Sequence, residues 1–369
     1  MIFVPIKDLQ PGMTLERDIY TFNPDTHKIE KIEAQQKLTE CQIKNFTSIA
    51  AKNIAGAYID DGNGKILTQV ETLIPNELKW IAISTMKQAF QMFEQTAQGL
   101  HIEAINQISD VARQLVDIIE TNKQIMLNIF DLKLYDDYTY NHSLGVATIS
   151  IAIGTALRLS RQELCELGLC ALMHDIGKTK VPIEIINKPG KLTKEEFDII
   201  KKHPALGAEF MAENHLVNER VYEGVLSHHE KYDGTGYPNG VAGKDISLFG
   251  RIISVADVFD ALTSARPYHN PALPKDGIEY IMGGSGKAFD VQVVHAFLQK
   301  ISPYPVGSCV KLSNGQLAIV VRQRKSSPLR PKVRLLSNPR FVVDLYSRRD
   351  MQNIVIENVC SLSDERRSH

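Results

Sequence analysis

The stretch Leu172-Met173-His174-Asp175-Ile176-Gly177-Lys178 sets a histidine and an aspartate side by side at the end of an apolar run. A neutral imidazole nitrogen and an anionic carboxylate oxygen are both strong ligands for a divalent transition metal. Neighbours on a regular helix point about 100° apart, so such a pair reaches one ion only where a helix ends. Lys178 adds a positive charge at the same place without being a ligand of the usual kind.

Four further positions carry the same chemistry: His142, His203, the His228-His229 pair and Asp257. Of eleven histidines, six (142, 174, 203, 215, 228 and 229) fall between residues 142 and 229. Each taken alone has a plain structural explanation, such as a helix cap, a core histidine or an aspartate paired with a buried arginine. However, an aspartate in the apolar run Ile252-Ile253-Ser254-Val255-Ala256-Asp257 is costly to bury without a partner. The seven ligand groups, five histidines with Asp175 and Asp257, exceed the three or four that one ion takes from protein. Two cations sharing a carboxylate fit better, and Asp175 is the expected bridge. A metal pair about 3.5–4 Å apart suits phosphate-ester hydrolysis, because it acidifies a water and stabilises the attacking and leaving oxygens. Lys178 would neutralise a non-bridging phosphate oxygen.

Helices must position these groups. Leu164, Leu167, Leu169, Leu172 and Met173 recur at helical spacing, and Gly177 is the expected stop. His142 falls in a helix from Tyr138 to Leu159. Thr193 and Glu196 form a capping-box start for a helix that carries His203 and is expected to bend at Pro204. A helix over 219–230 ends at His228-His229. The glycine-rich loop Asp233-Gly234-Thr235-Gly236-Tyr237-Pro238 follows, and then a helix over 250–263 holding Asp257. Further short helices are expected over 275–282 and 291–300.

The flanks differ in character. Residues 1–75 read as a small β-rich accessory or sensory domain, with a strand over 55–59. Residues 76–130 carry apolar residues at three- and four-residue steps and read as a helical connector, with a homodimer through these helices as one use. Residues 131–302 are the chemical block. Residues 303–369 read as a small β-barrel-like domain opening on a hairpin over 309–321.

Composition narrows the classes. The formal net charge of −1 offers no global attraction for nucleic acid or an anionic membrane surface. The uncharged run from His142 to Leu157 is shorter than the about 20 residues of a membrane span. Pro5, Lys7 and Asp8 interrupt the first residues before a signal-peptide core forms. The five cysteines are scattered without a CxxC pair. A cytoplasmic protein is the expectation.

The ordered set of motifs resembles the HD-GYP family of bacterial cyclic di-GMP phosphodiesterases. The resemblance rests on Tyr138-Thr139-x-x-His142-Ser143, His174-Asp175 with Lys178, Lys188-Pro189-Gly190-x-Leu192-Thr193 and His203-Pro204. It continues through His228-His229-Glu230, Asp233-Gly234-x-Gly236-Tyr237-Pro238 and the segment from Asp257 to Tyr268. It implies a mainly α catalytic core, an HD-type helical bundle, here flanked by the small β-rich N-terminal and C-terminal domains. It implies iron or manganese and hydrolysis of cyclic di-GMP to linear pGpG and onward to GMP in many members. His142, His174, Asp175, His203, His228, His229 and Asp257 match the family's metal ligands. Lys178 and Arg266 match phosphate-contacting positions. Gly236 and Tyr237 match the loop that lines the cleft and serves partner contacts. Members with a third metal carry a glutamate where this chain has Tyr138, so the resemblance implies two ions. His269 stands where many members have a basic residue. Two other readings stand beside the enzyme: a regulatory protein that binds cyclic dinucleotides without useful turnover, and a hydrolase of another cyclic dinucleotide or phosphate ester.

Overall fold

A computed structural model of the chain describes residues 2–5, 19–23, 28–32, 56–59, 74–94, 98–122, 127–128, 138–186, 188, 190–213, 217–264, 272, 274–304, 308–324, 327–338, 341–348 and 351–359. The chain divides into two compact units, one of residues 72–303 and one of residues 1–71 with 304–369.

The helical unit is built on α3 (Tyr138–Ala156). From Leu144 to Ile153 every apolar side chain of this helix is buried, so α3 is apolar all round and takes the centre of the bundle. α4 (Arg161–Met173) opens on a capping box in which Ser160 accepts from Glu163 N and Glu163 accepts from Ser160 N. It lies along α3, where Leu164 and Leu167 would both meet a Cβ on Gly154. α9 (Leu248–Thr263) buries Ile252, Ile253, Val255, Ala256 and Phe259. Phe259 packs edge-on against Phe297 of α11 (Val291–Lys300), ring centroids 4.9 Å apart.

α1 (Asn76–Glu94) and α2 (Gln98–Thr121) belong to this helical unit. α2 buries Ala104, Ile108, Val111, Ala112, Leu115, Val116 and Ile119, and its Ala112 reaches the bare backbone of Gly168 on α4. Phe90 of α1 meets Tyr140 of α3 edge-on at 5.7 Å. The segment read as a connector is therefore packed onto the chemical block along its apolar stripe.

Between α4 and α9 run the 3₁₀ turn Ile176–Lys180, α5 (Ile183–Ile186), α6 (Lys194–Ile200), α7 (His203–Glu213) and α8 (Glu219–Ser227). α10 (Pro274–Gly283) precedes α11. Two expectations change. α4 stops at Met173 rather than at Gly177. Gly177 lies buried beyond it, where a Cβ would run into His203 O, so its work is close approach rather than helix termination. The helix expected to bend at Pro204 is two helices, since Pro204 offers no N–H and suits the first turn of a new one.

In the other unit, β1 (Ile2–Pro5), β2 (Ile19–Asn23), β3 (Lys28–Ile32) and β4 (Gly56–Ile59) form an antiparallel sheet in the order β1-β4-β2-β3. β7 (Cys309–Leu312), β8 (Leu317–Arg322), β9 (Lys332–Leu335), β10 (Val342–Asp344) and β11 (Ile356–Val359) form a five-stranded antiparallel sheet in the order β10-β9-β8-β7-β11. Val310, Leu312, Ala318, Val320, Val333, Leu335 and Val343 alternate onto one buried face. The remaining strands, β5 (Leu127–Asn128) and β6 (Ile301–Ser302), pair in parallel within the helical unit.

Candidate metal centre

Helix ends place most of the ligand-type residues. His174 caps the C-terminus of α4 in helical backbone, while Asp175 leaves it at φ −96° and ψ 7°. His203 is the first residue of α7, and His228 caps the C-terminus of α8 with His229 next in the chain. His142 and Asp257 lie within α3 and α9. The structure brings all seven together.

They form two sets whose ligand atoms lie within 4.8 Å of one another: Asp175, His203, His228 and His229, and His142, His174 and Asp257. The two carboxylates tie the sets together. Asp175 Oδ1 is 3.2 Å from His203 Nε2 and Oδ2 is 3.4 Å from His174 Nε2. Asp257 Oδ1 is 3.1 Å from His142 Nε2 and Oδ2 is 3.8 Å from His229 Nδ1. Lys178 Nζ donates to Asp175 Oδ2 at 2.6 Å and keeps 38% of its side chain exposed.

Charge states follow from the surroundings. Burial works against the Asp175 carboxylate, yet Lys178 and His174 outweigh it and hold its pKa well below the usual range. Asp257 is likewise held down against burial, mainly by His142. Burial would strip His142 of its proton, but Asp257 and Asp260 together push its pKa up to about 10. Burial lowers His228 well below normal, with His229 beside it adding to the effect. Burial also takes His229 down to about 4. Ionised carboxylates beside the neutral His228 and His229 are the ligand states a divalent cation requires, whereas His142 must give up its proton to bind one.

The residues fit such a cation on structural grounds. His174 donates from Nδ1 to Ala171 O at 2.7 Å, because a carbonyl can only accept, which leaves Nε2 bare. That Nε2 and Asp175 Oδ1 are both buried without a hydrogen-bond partner among the described residues. Orphaned buried acceptors at one point are costly, and a cation satisfies them.

The loop after α8 closes over one side. Tyr237 N donates to His229 O at 3.2 Å, and the Tyr237 ring stacks tilted on the His229 ring at 4.8 Å. Gly236 is required here, since a Cβ would run into Lys231 N and Glu230 Cα. Phe197 of α6 meets Tyr237 edge-on at 6.4 Å. Burial, with Asp257 and Asp175 nearby, pushes the Tyr237 phenol upward and keeps it neutral. Arg266 and His269 lie outside the described residues.

Three neighbours were given no role from the sequence. Glu230 is buried, and its Oε1 accepts from Asn239 N at 2.6 Å and Gly240 N at 3.0 Å. Its place directly after His228-His229 was the available signal. Asp260 accepts from His142 Nδ1 at 2.8 Å, and its three-residue offset from Asp257 would have put it on the same helix face. Phe197 carried no signal beyond its helical spacing.

Comparison with known proteins adds the following likenesses. Residues 113–293 match the family described as HD domain, and residues 309–341 match a KOW domain associated with HD domain. The cyclic di-GMP phosphodiesterase PA4108 of Pseudomonas aeruginosa is 38% identical over 254 residues, covering 69% of this chain and 61% of the relative. The 3'3'-cGAMP-specific phosphodiesterase 2 of Vibrio cholerae is 33% identical over 203 residues, covering 54% of this chain and 38% of the relative. This chain thus spans less than two thirds of the length of either relative. Among solved structures, the HDG"Y"P protein Bd1817 of Bdellovibrio bacteriovorus shares the fold at a TM-score of 0.51 and 20% identity, covering 80% of this chain and 97% of that one. Through residues 113–293 this chain matches the HD-domain family, and its His174-Asp175 and Gly236-Tyr237-Pro238 are consistent with the HD-GYP resemblance.

Proposed function

We propose that the chain is a metal-dependent phosphodiesterase that hydrolyses cyclic di-GMP to linear pGpG. The observation that carries this reading is the pair of ligand sets joined through the consecutive residues His174 and Asp175. Asp175, His203, His228 and His229 would hold one cation and His142, His174 and Asp257 a second, with Asp175 between them; iron or manganese suits this nitrogen and oxygen donor set. A bound pair of divalent cations supplies Lewis acidity, drawing charge from the phosphate and making water a nucleophile near neutral pH.

The chain's own residues do the rest. Lys178, half-exposed at the edge of the cluster, places its ammonium where a non-bridging phosphate oxygen would lie and offsets the charge that builds there. Tyr237 and Phe197 form an aromatic wall running outward from His229, and Phe197 keeps 45% exposure. Such a wall gives a nucleobase a face to stack on while its phosphate sits at the cluster. Arg266 remains a proposed phosphate contact by its match to the family motif. The loop with Gly236 and Tyr237 would also serve partner contacts, and the β-rich segments would act as accessory modules. For assembly, a homodimer through residues 76–130 is kept, supported by the exposed Trp80, Ile81 and Ile102 on α1 and α2.

The names of the two relatives support cyclic dinucleotides as the substrate class and keep 3'3'-cGAMP as the second reading. The test incubates manganese- or iron-loaded protein with each cyclic dinucleotide and separates products by chromatography. Linear pGpG from cyclic di-GMP as the faster product supports the proposal. Faster turnover of 3'3'-cGAMP selects the second reading, and binding without product selects a regulatory role.

A further inference from the structure

Three of the five histidines of the cluster are oriented in one way and His142 in another. His174, His203 and His228 donate from Nδ1 to the carbonyls of Ala171, Ile200 and Val225 at 2.7, 2.8 and 2.6 Å. Each carbonyl lies three residues earlier, in the last turn of α4, α6 or α8, where helices leave carbonyls without intrahelical partners. Pro204 has no N–H to offer Ile200 in any case.

His142 is held differently. It stands inside α3, where the carbonyl three residues before it faces the next N–H of the helix ladder. Its Nδ1 instead meets Asp260 Oδ2 at 2.8 Å, while its Nε2 faces Asp257 Oδ1 at 3.1 Å. Asp257 and Asp260 sit three residues apart on α9, so one helix face grips both nitrogens of the ring. Asp260 is itself fixed. It is 4% exposed, its Oδ2 accepts from Ser264 Oγ at 3.1 Å, and its Oδ1 occupies the space that a Cβ on Gly145 would need. It belongs to neither ligand set.

We propose that Asp260 is the positioning residue of the His142 arm: its carboxylate accepts the Nδ1 proton, reserves Nε2 for the cation, and turns the ring so that His142 and Asp257 present a nitrogen and an oxygen to the same cation. The inference rests on the two-cation reading above. A carboxylate behind a ligating histidine fixes tautomer and ring direction and raises the basicity of the ligand. Gly145 and Ser264 exist in this account to keep the carboxylate in place.

The test titrates Mn²⁺ into chelator-stripped wild-type, Asp260→Ala, Asp260→Asn and Ser264→Ala chains, with bound and free ion separated by equilibrium dialysis and the fold followed by thermal melting. Asp260→Ala is expected to weaken one of two Mn²⁺ sites by about 10- to 100-fold and to leave the other unchanged. Asp260→Asn, whose amide oxygen still accepts from Nδ1, recovers part of the loss, and Ser264→Ala shows a smaller weakening of the same site. If Asp260→Ala does not fold, the other two variants carry the comparison. A lower melting temperature with both affinities at wild-type values assigns Asp260 a merely structural role and overturns the inference. A wild-type chain that binds no Mn²⁺ overturns the two-cation reading itself, and the two failures are thereby told apart.

Discussion

Nε2 of His203 faces Nε2 of His228 across 3.2 Å. Each ring already donates from Nδ1 to a carbonyl, so in the neutral state both facing nitrogens carry lone pairs. Two lone pairs turned toward each other in a buried site repel unless something positive lies beside them. With Asp175 Oδ1 a further 3.2 Å from His203 Nε2, three acceptors converge on one point. A proton on His228 is opposed by burial and its histidine neighbours, so a metal cation is the positive charge that suits the site.

Asp175 touches both ligand sets, so Asp175→Ala removes one of the two carboxylate links between them. Turnover of cyclic di-GMP is expected to fall by more than about 10³-fold, since metal charge stabilisation is worth several kcal/mol and about 1.4 kcal/mol is tenfold. Steady-state assay of metal-saturated variant and wild type checks this. Retention of a tenth of the activity would contradict it.

Lys178 contacts Asp175 from the cluster's edge and stands outside both ligand sets. Lys178→Ala is therefore expected to retain the wild-type metal content while kcat drops about 10²- to 10³-fold, the scale of losing one charge-stabilising donor. Elemental analysis beside the kinetics separates this from a ligand defect. Loss of metal in step with activity would assign Lys178 a different role.

Metal binding should be linked to pH through His142. Its pKa near 10 means that the metal-free site holds a proton on this ring at neutral pH, kept there by Asp257 and Asp260 against burial. A cation needs the neutral ring and must expel that proton. Apparent affinity is thus expected to rise with pH up to about 10 and then level off, and His229, already neutral above about 4, adds nothing in that range. Calorimetry in buffers of different ionisation enthalpy counts the released protons. Affinity that falls as pH rises from 6 to 9 would have the wrong sign.

Gly236→Ala puts a Cβ against Lys231 N and Glu230 Cα, so the loop must lift and carry Tyr237 off His229. The stacking face is lost while the ligand sets remain. A rise in KM of about tenfold with a smaller change in kcat is expected, matching one aromatic contact of about 0.5–1.5 kcal/mol. Unchanged KM would remove the loop from substrate binding.

Much of the site was legible because its logic is local. The Thr193-Glu196 capping box, the apolar run before His174 and the costly aspartate at 257 each follow from chemistry within a few residues. What the pattern could not carry were contacts set by the fold. Gly177 looks like a helix stop until His203 O is seen against it. Asp260 reads as one more polar residue until α3 brings His142 alongside. In the β-rich segments, β4 stood out by its own sequence, while β1 is defined by pairing with β4 far along the chain.

The central claim is that the seven side chains hold two cations in one place. Anomalous diffraction at the manganese or iron edge, from crystals grown with that metal, tests it most directly. Two peaks are expected, one among Asp175, His203, His228 and His229 and one among His142, His174 and Asp257, with Asp175 adjoining both. A single peak, or peaks away from these residues, would contradict the account.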